Sequence, residues 1–216
     1  MPALFRLALT TAAVKNLSKN LRNNPPGTQQ KWDRIYTASD THTRIQACHV
    51  LENFAYLLPD SGTALDLACG LGGNALFLAE HGLHTTAMDI SSVAIEKLNT
   101  QQHPLINVRC VDIDSTVLKN SAYDVIVVSN YLDRKIADAI VQAITPGGLL
   151  FYQTFVLDKT EMEKGPGNAA FLLKANELLS LFSDMQVLAF SDLGTCGNPA
   201  SGFRNQSYLV AQRALI

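Results

Sequence analysis

Three aspartates and a cluster of glycines in this chain are spaced as a nucleoside would need them. Asp66 opens the stretch Asp66-Leu67-Ala68-Cys69-Gly70-Leu71-Gly72-Gly73-Asn74. Glycine has no Cβ, so such a stretch can turn tightly and bring main chain close to a ligand. Asp66 stands four residues before Gly70. A carboxylate there can hold a cationic amino group, directly or through water, and would repel a pyrophosphate. Asp89 follows Gly70 by 19 residues and can accept both hydroxyls of a ribose. Asp112 can accept from the exocyclic amine of adenine; a solvated loop acid next to Asp114 is the plainer reading. Gly70 to Ala75 also fits the dinucleotide pattern G-x-G-x-x-A, so the glycine turn alone does not separate an NAD enzyme from other nucleoside binders.

These residues need elements to hold them. Thr63–Cys69, His84–Asp89, Ile106–Asp112, Tyr123–Ser129, Leu149–Phe155, Met185–Phe190 and Ser207–Ala211 read as strands, short and apolar. Helical spacing marks His42–Leu58, Gly72–Gly82, a segment capped by Ser91 or Ser92, a segment from Ile136 ended by Pro146-Gly147-Gly148, and Asn176–Phe182. The alternation predicts an α/β fold: a mostly parallel sheet with helices on both faces. Ligands of such sheets bind outside the carboxyl ends of the strands. All three aspartates fall at or near such ends. About 60 residues follow the fifth strand, too few for the second half of a dehydrogenase.

Charge divides the chain. Five basic residues and no acidic one precede Asp33; the remainder carries 12 basic and 19 acidic residues, a net charge of −7. A domain of that sign is a poor match for nucleic acid, whose affinity rests on phosphate neutralisation. Residues 1–30 read as a basic segment, helical through Leu4, Leu7, Val14, Leu17 and Leu21 or else loose, and residues 31–216 as the domain. No apolar run reaches the roughly 18 residues of a membrane span. Cys48, Cys69, Cys110 and Cys196 form no C-x-x-C pair and no disulfide framework, which fits a reduced, cytoplasmic protein. His42, His49, His81, His84 and His103 have no metal-ligand spacing, so no metal is expected.

Asp66-x-Ala68-Cys69-Gly70-x-Gly72, with Asp89, Asp112 and Pro146-Gly147-Gly148, resembles the class I S-adenosylmethionine-dependent methyltransferases. More narrowly, the chain resembles the tellurite-resistance methyltransferase branch, through Trp32-Asp33-x-x-Tyr36, Asp89-Ile90-Ser91, Tyr131-Leu132-x-Arg134, Gln153-Thr154-Phe155 and Asn168-x-x-Phe171-Leu172-Leu173. The resemblance implies a Rossmann-like, doubly wound sheet of seven strands whose last strand is antiparallel. It implies S-adenosyl-L-methionine as cofactor, contacted by Asp66, Ala68, Gly70, Gly72, Asp89, Ile90, Asp112 and Ile113. Asn130 would lie beside the methionine and sulfonium end. Gly73 departs from the pattern, since relatives often carry arginine there.

Methyl transfer from a sulfonium is an in-line displacement that chiefly needs alignment. A general base is required only if the nucleophile arrives protonated. Ser129-Asn130-Tyr131-Leu132 lacks the Asn/Asp-Pro-Pro-aromatic element of enzymes that methylate base amines, and no cysteine follows a proline. The expected acceptor is therefore a small molecule such as a chalcogen oxyanion or a thiol. Tyr36, Tyr131, Arg134 and Arg204 are the candidates for the substrate face. Arg134 can hold an anion or pair with Asp133 or Asp138. A non-enzymatic nucleoside-binding regulator and an NAD(P)-dependent oxidoreductase are the alternatives, and the oligomeric state is left open.

Overall fold

The Tyr-Asp-Val-Ile-Val-Val-Ser run has the strongest strand character in the chain, and it forms the middle of the sheet. In the computed structural model, which describes residues 27–39, 45–161 and 165–215, the seven strands are β1 (Gly62–Leu67), β2 (Leu83–Asp89), β3 (Ile106–Cys110), β4 (Tyr123–Ser129), β5 (Ile144–Phe155), β6 (Gln186–Ser191) and β7 (Gln206–Gln212). Their order is β3-β2-β1-β4-β5-β7-β6. All neighbours pair in parallel except β7, which runs antiparallel to both β5 and β6. The fold is thus α/β, doubly wound and Rossmann-like, with the antiparallel last strand that was expected.

Successive strand residues point to opposite faces, and two cores follow from that. Leu65, Leu67, Ile126, Val128, Leu150 and Tyr152 face one core; Ala64, Val125, Val127, Leu149 and Phe151 face the other. The helices are α1 (Thr28–Ala38), α2 (His49–Asn53), α3 (Gly73–Glu80), α4 (Ser92–Asn99), α5 (Ala137–Ala143) and α6 (Glu177–Leu181). Ile140 of α5 and Leu178 of α6 cover the first face; Leu51 of α2 and Leu78 of α3 cover the second. The chain order reverses between β1 and β4, which opens a crevice at their carboxyl ends. The helix expected over residues 1–24 lies outside the described residues. Helix α1 begins at Thr28, after Gly27 in a left-handed conformation.

Two expectations are corrected. The helix read over His42–Leu58 is interrupted: residues 45–48 carry no helix, α2 is short, and a 3-10 turn at Ala55–Leu57 follows. Side chains of the sheet and of α3 take the main-chain amides. Cys48 N donates to Asn74 Oδ1 at 2.8 Å and Val50 N to Gln153 Oε1 at 2.9 Å. The second correction concerns Pro146-Gly147-Gly148. Helix α5 ends at Ala143, and the Pro-Gly-Gly lies within β5. The β4–β5 register shifts between Tyr123 and Val125, with Gly147 at φ 80°. Polar side chains tie this corner together. Asp124 Oδ1 accepts from Thr145 Oγ1, and Asp124 Oδ2 accepts from Thr63 N.

Candidate active site

Strand β1 ends at Leu67, and the chain then passes through three left-handed residues: Ala68 (φ 57°), Gly70 (φ 52°) and Gly72 (φ 85°). A non-glycine residue pays roughly 1–2 kcal/mol for that region, so Ala68 marks a turn held by its surroundings. Cys69 N donates to Met88 O at 2.9 Å, which ties the turn to β2. Both oxygens of Asp89 brace it as well. Oδ2 accepts from Gly70 N and Oδ1 from Ser91 N, each at 2.8 Å. Burial pushes the Asp89 carboxyl above its ordinary value, against those hydrogen bonds.

Asp66 is wholly buried. Its Oδ2 accepts from Ala75 N at 3.0 Å and its Oδ1 from Asn74 Nδ2 at 3.2 Å. It therefore satisfies an N-terminal amide of α3, as a capping carboxylate does. Burial pushes its pKa up to about 7, while the bonds from Asn74 and Ala75 pull the other way. Asn74 is the hub here: it binds Asp66, Ser129 Oγ and the main chain of Cys48 together.

A cavity of about 580 Å³ opens over this turn, within the roughly 300–1,000 Å³ of small-molecule sites. Of the residues expected to touch cofactor or substrate, Tyr36, Ala68, Gly70, Asp89, Ile90, Ile113, Asn130 and Tyr131 line it. Among the described residues, Asp66, Gly72 and Asp112 stand behind this wall. Gly72 packs on Leu98, where an added Cβ would come within 2.4 Å. Asp112 is buried next to Ile113.

Helix α1 covers one side. Asp33 Oδ1 accepts from Ser91 Oγ at 2.6 Å and from Val93 N at 3.3 Å. Lys97 Nζ donates to Tyr36 O at 2.6 Å and Ser39 O at 3.0 Å, which stabilises the carboxyl end of α1. This places the Tyr36 hydroxyl against Gly70, where a Cβ would lie 2.7 Å from it. Burial and then the Asp89 charge raise the Tyr36 pKa far above the tyrosine range; burial and then Asp133 do the same for Tyr131. Neither phenol is an anion at neutral pH. Cys48 is pushed up to about 12 and Cys110 to about 11, each mainly by burial. Burial raises Cys69 as well, so none of the three offers a thiolate nucleophile.

Arg134 and Arg204, the other two candidates for the substrate face, are not among the described residues that line the cavity. Arg134 forks onto Glu177, Nε to Oε1 at 2.6 Å and Nη2 to Oε2 at 2.9 Å, and also donates to Ala170 O and Leu172 O. Its partner is thus 43 residues away and not on its own helix. The hydrogen bond from Arg134 lowers the Glu177 pKa. Arg204 donates to Ser201 O, Leu193 O, Gly194 O and Asn198 O, organising its own loop. Arg134→Ala is therefore expected to lower unfolding stability by about 1 kcal/mol, discounted for the pair's exposure, while turnover and cofactor affinity stay within about twofold. Denaturant midpoints and initial rates check it; a tenfold fall in turnover at full folding would return Arg134 to the substrate.

Several lining residues were not foreseen: Trp32, His49, Gln153 and Gln206. Gln153 did carry a signal, as a lone amide in an otherwise apolar strand. The wall at Gly73 belongs with them. A Cβ there would sit 2.2 Å from Gln46 O, so the absent side chain lets residues 45–48 cross the mouth of the turn. Among the described residues no group of His, Cys, Asp and Glu could hold a metal.

Residues 64–148 match the family described as Methyltransferase domain. No curated protein matches the sequence. Solved structures do. A S-adenosylmethionine-dependent methyltransferase of Methanosarcina mazei superposes with a TM-score of 0.59 at 19% identity, over 79% of this chain and 100% of that one. TehB from Haemophilus influenzae superposes with 0.58 at 21% identity, over 86% of this chain and 66% of that one. Haemonchus contortus phosphoethanolamine N-methyltransferase 2, solved with S-adenosyl-L-methionine, gives 0.60 at 13% identity, over 76% and 51%. The fold is that of the S-adenosylmethionine-dependent methyltransferases. No helix among the described residues is long and apolar enough to cross a membrane.

Proposed function

We propose that this chain transfers a methyl group from S-adenosylmethionine to a small-molecule acceptor, such as a chalcogen oxyanion or a thiol. The observation that carries the reading is Asp89 on the cavity wall beside the glycine turn. Each Asp89 oxygen takes one main-chain N–H and keeps a lone pair for a further donor. The vicinal hydroxyls of a ribose are such donors. Gly70 adds a fitted surface, because a Cβ would fill the space that the Tyr36 hydroxyl reaches into.

S-adenosylmethionine is the cofactor. When bound it supplies an electrophilic methyl group: the acceptor's lone pair forms the new bond to carbon as the carbon–sulfur pair leaves onto sulfur, giving a neutral thioether. Asp89 would hold the ribose, while Ile90 and Ile113 would flank the base with apolar surface. Asp66 acts through Asn74 and the start of α3, behind the wall. Tyr131 and Asn130 border the reacting end, and α1 excludes water. Asp89 is the one carboxylate lining the cavity among the described residues. An acceptor that arrives as an anion or a soft nucleophile needs no base, which suits this wall. The domain is taken as residues 31–216 with a basic accessory segment before it, and the four free thiols fit the cytoplasm.

S-adenosylmethionine and S-adenosylhomocysteine are expected to raise the melting temperature, with NAD and NADP without effect. A ligand at 100 times its Kd adds about 2.7 kcal/mol. Thermal shift checks this, and a shift with NAD alone would sink the reading. A S-adenosylhomocysteine-release assay with selenite, tellurite, thiols, phenols and bulk tRNA then tests the acceptor class. Turnover confined to tRNA would overturn the small-molecule part.

A further inference from the structure

One wall of the cavity is a row of side-chain amides whose direction is settled by a main-chain group. Val50 N–H can only donate, and its partner at 2.9 Å is the side chain of Gln153, which must present Oε1. Gln153 Nε2 then donates to Gln206 Oε1 at 2.7 Å. Gln206 Nε2 donates in turn to Asn130 Oδ1 at 2.6 Å. Reversing any one amide would set N–H against N–H or oxygen against oxygen at a neighbour. Ordinarily the two ends of an amide are hard to tell apart; here the row has one consistent direction. Asn130 must therefore turn its Nδ2 away from Gln206, and no acceptor among the described residues takes it.

The main chain fixes where Asn130 sits. Asn130 is left-handed at φ 55°, and its N–H donates to Gln153 O at 2.9 Å, pinning it to β5. Asn130, Gln153 and Gln206 all line the cavity beside Tyr131. Gln153 Nε2 and Gln206 Nε2 each keep a second N–H beyond the one spent on a neighbour. Asp89 lies at the end of β2, two strands from β4 and four from β7. At roughly 4.8 Å per strand that is about 10–19 Å away, so the one carboxylate lining the cavity among the described residues does not touch the row.

We propose that Asn130 Nδ2, aimed by Gln206 and Gln153, is a specificity-determining hydrogen-bond donor: it selects methyl acceptors that present an oxyanion or a lone-pair oxygen and discriminates against ammonium groups. The proposal rests on the methyltransferase reading and narrows its substrate class. An ammonium has only donors and would meet a donor.

The test titrates benzoate, selenite, pyridine N-oxide and benzylamine into protein saturated with S-adenosylhomocysteine, using wild type, Asn130→Ala and Gln206→Glu. Asn130→Ala deletes the donor without adding charge. Gln206→Glu keeps the bond from Gln153 but leaves a second carboxylate oxygen facing Asn130. Asn130 then turns its Nδ2 inward and shows Oδ1 to the cavity, although Asn130 itself is intact. Pyridine N-oxide is a neutral acceptor, so the added charge alone does not account for its loss. In wild type the oxygen-bearing probes are expected to bind at least tenfold more tightly than benzylamine. Both variants are expected to weaken pyridine N-oxide and the best anionic probe at least tenfold, with Gln206→Glu improving benzylamine. Melting temperature should hold within about 2 °C, and probe affinities are compared with S-adenosylhomocysteine saturating in every variant.

A preference for benzylamine in wild type, unchanged pyridine N-oxide affinity in both variants, or no binding by any oxygen-bearing probe would each overturn the proposal. So would loss of S-adenosylhomocysteine affinity with probe affinity intact, because the donor would then serve the cofactor's carboxylate. If wild type fails to bind S-adenosylhomocysteine, the methyltransferase reading fails by itself, and the same titration on free protein still decides the polarity of the wall.

Discussion

Replacing Gly73 by alanine is expected to destabilise the protein by about 2–3 kcal/mol and to weaken S-adenosylhomocysteine binding at least tenfold. Helix propensity argues the other way, since alanine in a helix gains up to about 1 kcal/mol over glycine. Sterics decide the sign. The new Cβ would lie 2.2 Å from Gln46 O and 2.9 Å from both Gln46 C and Ile45 Cγ2. Two of those atoms are backbone, so rotamer changes do not relieve the clash. Residues 45–48 must lift, breaking the bond from Cys48 N to Asn74 and exposing one side of the cavity. Gly167→Ala is the control, because nothing lies within 4 Å of a Cβ there. Chemical denaturation and calorimetry give both numbers. A Gly73→Ala protein as stable as wild type, with unchanged affinity, would show that the crossing segment is not part of the site.

The second large effect is at Asp89. Asp89→Ala should lower cofactor affinity by about 1.5–3 kcal/mol, as expected for lost bonds to a charged acceptor. It should also lower stability by about 2–4 kcal/mol. Gly70 N and Ser91 N both lose their acceptor in a buried setting, and each orphaned donor costs about 1–3 kcal/mol. Removing a carboxyl whose charge burial disfavours returns part of that. Affinity that falls with stability unchanged would mean that water replaces the carboxylate at both amides. Stability that falls with affinity unchanged would remove Asp89 from the ribose.

The sheet was legible because its strands are short, apolar and punctuated by glycine and aspartate. Tyr123–Ser129 matches β4 from end to end. Asp89 was legible as a strand-end residue and Gly70 as part of the glycine turn that follows β1. What sequence could not show depends on distant partners. Arg134 could hold an anion or pair with Asp133 or Asp138 by sequence, and its bond to Glu177 shows only in the fold. That both Asp66 oxygens also brace the start of α3 shows only in the fold. Residues 45–48 have helical spacing, yet the Cys48 amide goes to Asn74 instead. The amide row joins Val50, Gln153, Gln206 and Asn130 across separations of up to 103 residues, and no local pattern announces it.

The position of β7 bears on how the molecule is made. It follows every other strand in order of synthesis, yet it is inserted between β5 and β6. Until it arrives, β5 presents an unpaired edge carrying Leu149, Leu150, Phe151 and Tyr152, all buried in the finished sheet. Such an edge is a template for wrong pairing. A nascent chain therefore passes through a stage at which this apolar edge is bare and, with Gln206 absent, the Asn130 side-chain amide lacks the partner that orients it. Binding competence and protection from aggregation come with the same late strand, so chaperones that shield exposed strand edges should engage this chain most strongly just before β7 docks.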